Sequence, residues 1–500
     1  MTFAEVSNSV LACMNEKLSI ARISAHELAG VDFWTPSVFL SGPFRAVADG
    51  RVGAIHMGKV SEVTEGKRIT HEMTRTPSLG IPESLTPDVD SAKEVTYRQA
   101  HIRGLEVVPD PEQWFQKPRG TSASLQPGDI VVTKLPPVRA AMVTEELLQH
   151  PVDQSCIVIR GLDTPTAVWV AVCFNHPAYG DYLLGLSGFG ILPRVGVRTL
   201  RELRLPGPPD LFKPLASDIK KEVDTRAQLR RAISELQKGV SDWVGNEGGE
   251  ELETEAEVQF QRPSWSTHVA AESIDWSWAP QHVAVGVLQS DIFRHAGWIP
   301  VSDVLDRQPH DRRRLSSSPP RRLRLIRLAD AESSIMPACQ WQEVTPALAF
   351  RVYRRPLAEG EVLVSTLGTS PRLLFAGAEP PGDVFLVDHW ERLLFSETPG
   401  AFALLMNASP VSGQLRRMAV GSARQFVRAE DIQQLRIPQV PRELRERWDR
   451  SARGIIAAWR KSCDRWEYLM AQADRAFQRV HVRASAAEAP AAKVAEGMTR

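Results

Sequence analysis

Apolar residues return at every seventh position in two well separated stretches of this chain. Over residues 209–243 one row carries Leu215, Leu229, Leu236 and Trp243 and the next carries Ile219, Ile233 and Val240, with Glu222 and Arg226 standing where each row should continue. Over residues 441–482 Ile456, Cys463, Met470 and Phe477 form one row and Trp459, Trp466, Ala473 and Val480 the other, without interruption. A heptad places such rows along one seam of an α-helix, and a seam needs a helical partner to leave water. The first stretch predicts one helix of about 35 residues, roughly 50 Å long at the α-helical rise. Together the stretches predict an antiparallel pair, packed through Leu215, Ile219, Leu229, Ile233 and Leu236 on one side and Ile456, Trp459, Cys463, Trp466, Met470 and Phe477 on the other. The plainer alternative is two amphipathic helices, each packed on its own domain.

The chain before each helix follows a different pattern, with short β-branched runs bounded by glycine and proline. A Pro127-Gly128 turn leads into Ile130-Val131-Val132-Thr133-Lys134, and residues 155–160 and 167–174 are further apolar runs, the second a strand or a buried helix. After residue 270 the plan restarts. Gly128 and Gly360, Asn175 and Asn407, and Pro206 and Pro438 are each 232 positions apart, and the residues around them match in kind. Three matches in one register predict an internal duplication. The expected organisation is a lead-in at 1–30, a first domain at 31–208, a helix at 209–243 and an acidic linker at 244–270. A second domain at 271–440, a helix at 441–482 and a disordered tail at 483–500 follow. The predicted fold class is α+β, with two duplicated domains separated by the helix pair.

Length and composition narrow the class. A chain of 500 residues with 43% hydrophobic content has room for two or three domains with their own cores. No long uncharged apolar run predicts a membrane span, and the N-terminus lacks the basic and apolar regions of a secretion signal, so a cytoplasmic location is expected. The five cysteines are scattered without C-x-x-C spacing and predict neither a zinc site nor a disulfide framework. Formal net charge is zero, but acid gathers at residues 246–258 and base at 312–327, so a basic face is compatible with the neutral sum.

Catalytic motifs for phosphate, dinucleotide, zinc or acyl chemistry do not occur. Asn175-His176-Pro177-Ala178-Tyr179 superficially resembles the Asn-Pro-Pro-aromatic loop of amino-methyltransferases, but its proline is displaced and the matching Asn407-Ala408-Ser409-Pro410 lacks the aromatic residue. Asn175 reads more simply as a helix-ending residue. Lys67, Arg68 and His71 cluster after a predicted strand, as a DNA-facing loop or a solvated basic loop, and Arg103 follows in an extended stretch.

Each copy thus runs through a variable region, a glycine turn into a strand, an apolar helix ending near Asn-x-Pro, a leucine-x-apolar-Pro signal and a long helix. In this order the chain resembles the specificity subunit of type I restriction-modification systems, over roughly residues 31–482. The resemblance implies two target-recognition domains, each reading half of a split DNA site, held apart by the helix pair. It implies no catalysis and no cofactor on this chain: a partner DNA methyltransferase would bind S-adenosylmethionine, and a restriction, motor or other defence subunit would complete the complex. Double-stranded DNA would contact Lys67, Arg68, His71, Arg103 and Arg139 in the first domain and Arg321, Arg322, Arg324, Arg354 and Arg372 in the second. The family's Arg-Pro pair after the strand is replaced here by Leu135-Pro136-Pro137-Val138-Arg139 and Leu367-Gly368-Thr369-Ser370-Pro371-Arg372. Two other readings remain open from the residues: a non-catalytic protein-binding scaffold or adaptor of a defence complex, and an enzyme with dispersed carboxylates.

Overall fold

In a computed structural model the described residues are 54–65, 97–108, 125–148, 152–176, 179, 183, 194–245, 297–306, 312–314, 323–326, 335–336, 342–344, 351–353, 356–367, 372–380, 384–386, 389–418 and 426–486. The lead-in, the acidic linker from residue 246 and the tail beyond residue 486 lie outside them.

The first unit contains β1 (Ala54–His56), a short helix α1 (Met57–Val60), β2 (Glu62–Glu65), β3 (Ile102–Arg103), β4 (Glu106–Val107), β5 (Ile130–Thr133), β6 (Ala140–Met142) and β7 (Cys156–Arg160). Then come α2 (Thr164–Asn175), α3 (Val197–Glu202), β8 (Arg204–Pro206) and the long helix α4 (Phe212–Val244). One sheet has the order β2-β7-β5-β6, with antiparallel pairing throughout. The continuous β-branched run of β5 follows from cover on both faces. Ile130 and Val132 enter the core beneath α2, while Val131 joins a second cluster with Tyr97, Ile102 and Val107.

Residues 167–174, open between strand and helix in sequence, are helical, and every one is buried. This helix has no polar face because β6 packs on one side of it and α4 on another. Trp169 donates from Nε1 to the Pro206 carbonyl at 2.7 Å and meets Phe212 edge-on, with ring centroids 4.7 Å apart. Asn175 does more than end the helix: its Nδ2 donates to the Ala140 carbonyl at 2.6 Å, tying α2 to β6.

The second unit contains β9 (Ile299–Pro300), β10 (Arg312–Arg314), β11 (Leu323–Ile326), β12 (Gln342–Val344), β13 (Arg351–Tyr353), β14 (Val362–Ser365), β15 (Leu373–Phe375), β16 (Val384–Leu386) and β17 (Trp390–Leu393). It continues through α5 (Pro399–Asn407), α6 (Ser409–Met418), α7 (Ala429–Gln433), β18 (Arg436–Ile437) and the second long helix, α8 (Arg442–Ala486).

Individual bonds recur 232 residues later. Asp129 accepts from the Gln126 N–H and pairs with Arg160 at 2.7 Å, and Glu361 accepts from the Ala358 N–H and pairs with Arg392 at 3.0 Å. Gly128 and Gly360 both take left-handed backbone, at φ 90° and 88°, which their turns require and a side chain would strain. Lys134 and Thr366 accept from Val195 and Val427, and Leu203 and Leu435, also 232 positions apart, accept from Met57 and Val301, which are 244 apart.

The long helices pack on each other in opposite directions. Asp218 meets Arg465, Arg226 stacks on Trp459, and Trp243 meets Trp448 edge-on, so positions fall along α8 as they rise along α4. Ile219, Ile233, Ile456, Trp459, Cys463, Trp466 and Phe477 are buried, with Leu215, Leu229, Leu236 and Met470 half-buried around them. Each fully buried aliphatic or aromatic side chain contributes roughly 1.5–3 kcal/mol. The start of α4 and the end of α8 share a core with the first unit, and the end of α4 and the start of α8 share one with the second.

Glu222 and Arg226 do not interrupt this seam. Both are buried in it: Glu222 accepts from the Ser462 hydroxyl and pairs with Arg465 at 3.3 Å, while Arg226 lies over Trp459 and Trp466. Cys156 and Cys173 are buried free thiols, whereas Cys463 is disulfide-bonded, which the cysteine spacing did not predict.

Candidate nucleic-acid interface

Two of the expected basic residues of the first unit, Arg103 and Arg139, meet at one small hairpin. β3 and β4 are joined by Gly104-Leu105, with Gly104 at φ 63°, and the register places Arg103 opposite Glu106 and Ile102 opposite Val107. The hairpin is anchored from three directions. His101, just before it, is buried and accepts at Nδ1 from the Arg98 N–H at 3.0 Å. Leu105 accepts from the Met142 N–H at 3.1 Å, docking the turn on β6. On the helix side, Glu106 Oε1 accepts from Arg226 Nε at 2.5 Å and from Arg230 Nη1 at 2.8 Å, and its Oε2 accepts from Arg226 Nη2 at 2.8 Å.

Burial alone would push the Glu106 carboxyl pKa up, but the charges of Arg230 and Arg226 and their hydrogen bonds hold it at about 2. Arg103, on the opposite strand, is exposed. Arg139 is exposed as well and donates from Nη1 to the Ile102 carbonyl at 3.4 Å, so both arginines rest on this hairpin.

The turn that delivers Arg139 is built to hold it. Thr133 Oγ1 accepts from the Arg139 N–H at 2.8 Å, and Gln99 bonds Leu135 twice, through Nε2 to its carbonyl and through Oε1 from its N–H. The Val195 N–H donates to the Lys134 carbonyl at 2.9 Å, which brings Arg194 beside Lys134. Burial lowers the pKa of the half-buried Lys134 ammonium, and the neighbouring Arg194 charge lowers it further. Arg98 pairs with Asp153 at 3.5 Å. Lys134 and Arg194 were not among the expected contacts. Only the bond between two distant loops joins them, although Lys134 itself ends the strand signal. A cation patch of this kind suits phosphate oxygens.

In the second unit Arg372 occupies the place of Arg139. Its N–H donates to Ser365 Oγ at 2.6 Å, as that of Arg139 does to Thr133, but Arg372 is half-buried. The positions of Lys134 and Arg194 are taken by Thr366 and by Phe426, which is 44% exposed. Arg324 lies on β11, the central strand of the sheet β12-β11-β16, in register with Glu343 on one side and Val384 on the other. Within the basic 312–327 segment, β10 pairs antiparallel with β13, setting Arg314 opposite Arg351. Lys67, Arg68, His71, Arg321, Arg322 and Arg354 lie outside the described residues. Among the described residues no group of three or more His, Cys, Asp or Glu side chains is placed to hold a metal ion, and no helix is long and apolar enough to cross a membrane.

Similar proteins were found among solved structures. The chain is similar to type I specificity subunits. The HsdS subunit from Thermoanaerobacter tengcongensis shares 14% identity over 86% of this chain and 96% of its own, with a TM-score of 0.25. A structure addressing complex assembly and conformational transition of the type I R-M system shares 15% identity over 86% of this chain and 97% of its own, at a TM-score of 0.25. The type I restriction-modification S subunit from M. genitalium shares 10% over 86% and 95%, at 0.27. At these TM-scores superposition is loose, and the likeness decides neither fold nor function. No family model matches the chain, and no curated protein matches it.

Proposed function

We propose that this chain is a DNA-recognition subunit of the type I specificity kind: it reads a bipartite site and directs a partner adenine methyltransferase to it. The observation that carries the reading is the recurrence of one constellation of bonds, 232 residues apart throughout except at its hydroxyl-held arginine, which is one position further on. Each copy has a glycine turn, a buried carboxylate–arginine pair and an arginine held by a strand-end hydroxyl. Each copy sits at the opposite end of the α4–α8 pair. Two related readers at a fixed separation suit two half-sites. A spacer of roughly 50 Å exceeds one DNA turn of about 34 Å, which leaves unread base pairs between them.

In this reading the chain performs no catalysis and binds no cofactor. Arg103, Arg139, Lys134 and Arg194 neutralise phosphates and set the register of the first unit, and Arg372 does so in the second. S-adenosylmethionine belongs to the methyltransferase subunits, and a restriction or other defence subunit acts downstream. The complex works in the cytoplasm. The test is purification of the full chain from its host, with co-purifying proteins identified and bound DNA sequenced. Recovery of a methyltransferase together with a split motif supports the reading; recovery of neither sinks it.

A second reading, a protein-binding scaffold, is favoured by one observation in the second unit. Phe426 is exposed where the first unit has Arg194. Salt-dependent duplex binding that survives disruption of the second unit, with a protein partner lost, would support it for that half of the chain.

A further inference from the structure

The hairpin that presents Arg103 and supports Arg139 is fastened to the helix pair through one buried carboxylate. Glu106 is 6% exposed, and both of its oxygens accept from arginines of α4. Those arginines are themselves held by α8. The Arg226 guanidinium lies 4.3 Å from the Trp459 ring centroid and 5.1 Å from that of Trp466, and Arg230 lies 4.7 Å from Trp459. The β3–β4 hairpin, α4 and α8 therefore meet at a charged node, beside the apolar core that the first unit shares with both helices.

The second unit is fastened differently. Asp449 of α8 accepts from the Gly400 N–H at 2.7 Å, and Arg453 reaches Glu359 at 3.3 Å, with Glu359 53% exposed. An exposed pair contributes little and is screened by salt, whereas a buried, bidentate one holds a single geometry.

We propose that Glu106 is a positioning residue that locks the β3–β4 hairpin to the helix pair and so sets how strictly the protein measures the gap between half-sites. The inference rests on the bipartite DNA reading. One added base pair moves a half-site by about 3.4 Å along the duplex and rotates it by about a tenth of a turn. A hairpin held rigidly by the node cannot follow that displacement, and one released from it can. Arg103 lies directly across the hairpin from Glu106, so movement at the latch reaches the DNA-facing strand within one cross-strand pair.

The test begins with the full-length wild-type chain enriching its own site from a pool of randomised duplexes. Affinities are then measured for that duplex and for versions with the gap longer or shorter by one base pair. Wild type, Glu106→Gln and Arg230→Gln are compared, with melting temperature followed in parallel. Glu106→Gln should retain binding to the enriched duplex while its preference over the altered gaps falls by about tenfold, the scale of coupling within one buried network. Arg230→Gln, which leaves both Arg226 contacts in place, should shift the preference in the same direction by less and decides the matter if Glu106→Gln fails to fold. Equal loss of affinity on all three duplexes, with the preference unchanged, shows a purely structural role and overturns the proposal while leaving the DNA reading intact. A wild-type chain that enriches no split site removes the DNA reading and the latch with it.

Discussion

Glu106 and Arg226 lie 120 positions apart in the chain and are joined by two hydrogen bonds, of 2.5 and 2.8 Å, with both side chains buried. The pair places the β3–β4 hairpin and the two long helices in one electrostatic unit. Removing one member of such a pair leaves the other charge buried without its counterion, which costs about 3–5 kcal/mol.

Acid should weaken the fold through this carboxylate. Its folded pKa of about 2 lies below its ordinary value of 4.5, so its stabilising contribution is full above pH 4.5 and is lost as pH falls toward 2. Urea unfolding of wild type and Glu106→Gln across this range should show their stability difference shrinking on acidification. A difference independent of pH would contradict the assignment.

Arg103→Ala and Arg139→Ala should each weaken duplex binding. If the residue holds a phosphate, the dependence of log affinity on log salt should become shallower by about one; if it reads a base, the cost should be about 1–3 kcal/mol with one position relaxed. Titrations at several salt concentrations separate these cases, and an unchanged affinity at every concentration would remove the residue from the interface.

Shortening the helix pair should change the accepted gap. Deleting one heptad from α4 alone puts the seam with α8 out of register and should abolish binding. Deleting one from both should shorten the pair by about 10 Å and the preferred gap by about three base pairs. Selection of bound duplexes measures this directly, and an unchanged gap in the doubly shortened protein would end the spacer reading.

Gly128→Ala and Gly360→Ala should destabilise to a similar degree. Both glycines have nearly the same left-handed φ, 90° and 88°, and the nearest atom to a new Cβ lies 3.9 Å away at Gly360, with none within 4 Å at Gly128. Backbone strain is then the main cost, about 1–2 kcal/mol at each site. Markedly unequal losses by chemical denaturation would show that the two turns are not equivalent.

Much of this organisation is local and therefore legible in sequence. Heptad rows such as Ile456, Cys463, Met470 and Phe477 need only the helical period to be recognised, and the shared 232-residue spacing of Gly128 with Gly360 and Asn175 with Asn407 needs only comparison of the chain with itself. The arginine after each buried strand, Arg139 and Arg372, falls one position out of that register and was picked out only through the resemblance to the type I specificity subunits. Charged residues inside an apolar pattern were not interpretable in this way. Glu222 and Arg226 looked like breaks because a charge on a seam has meaning only with its partners, and those partners are Ser462, Arg465, Trp459 and Glu106, on distant segments. Lys134 likewise gains Arg194 as a neighbour only through the bond from Val195. Periodicity and repetition are properties of one chain segment or of two aligned ones, and the sequence by itself determined them. Pairing between remote charges depends on desolvation and distance, and only the tertiary structure decided it.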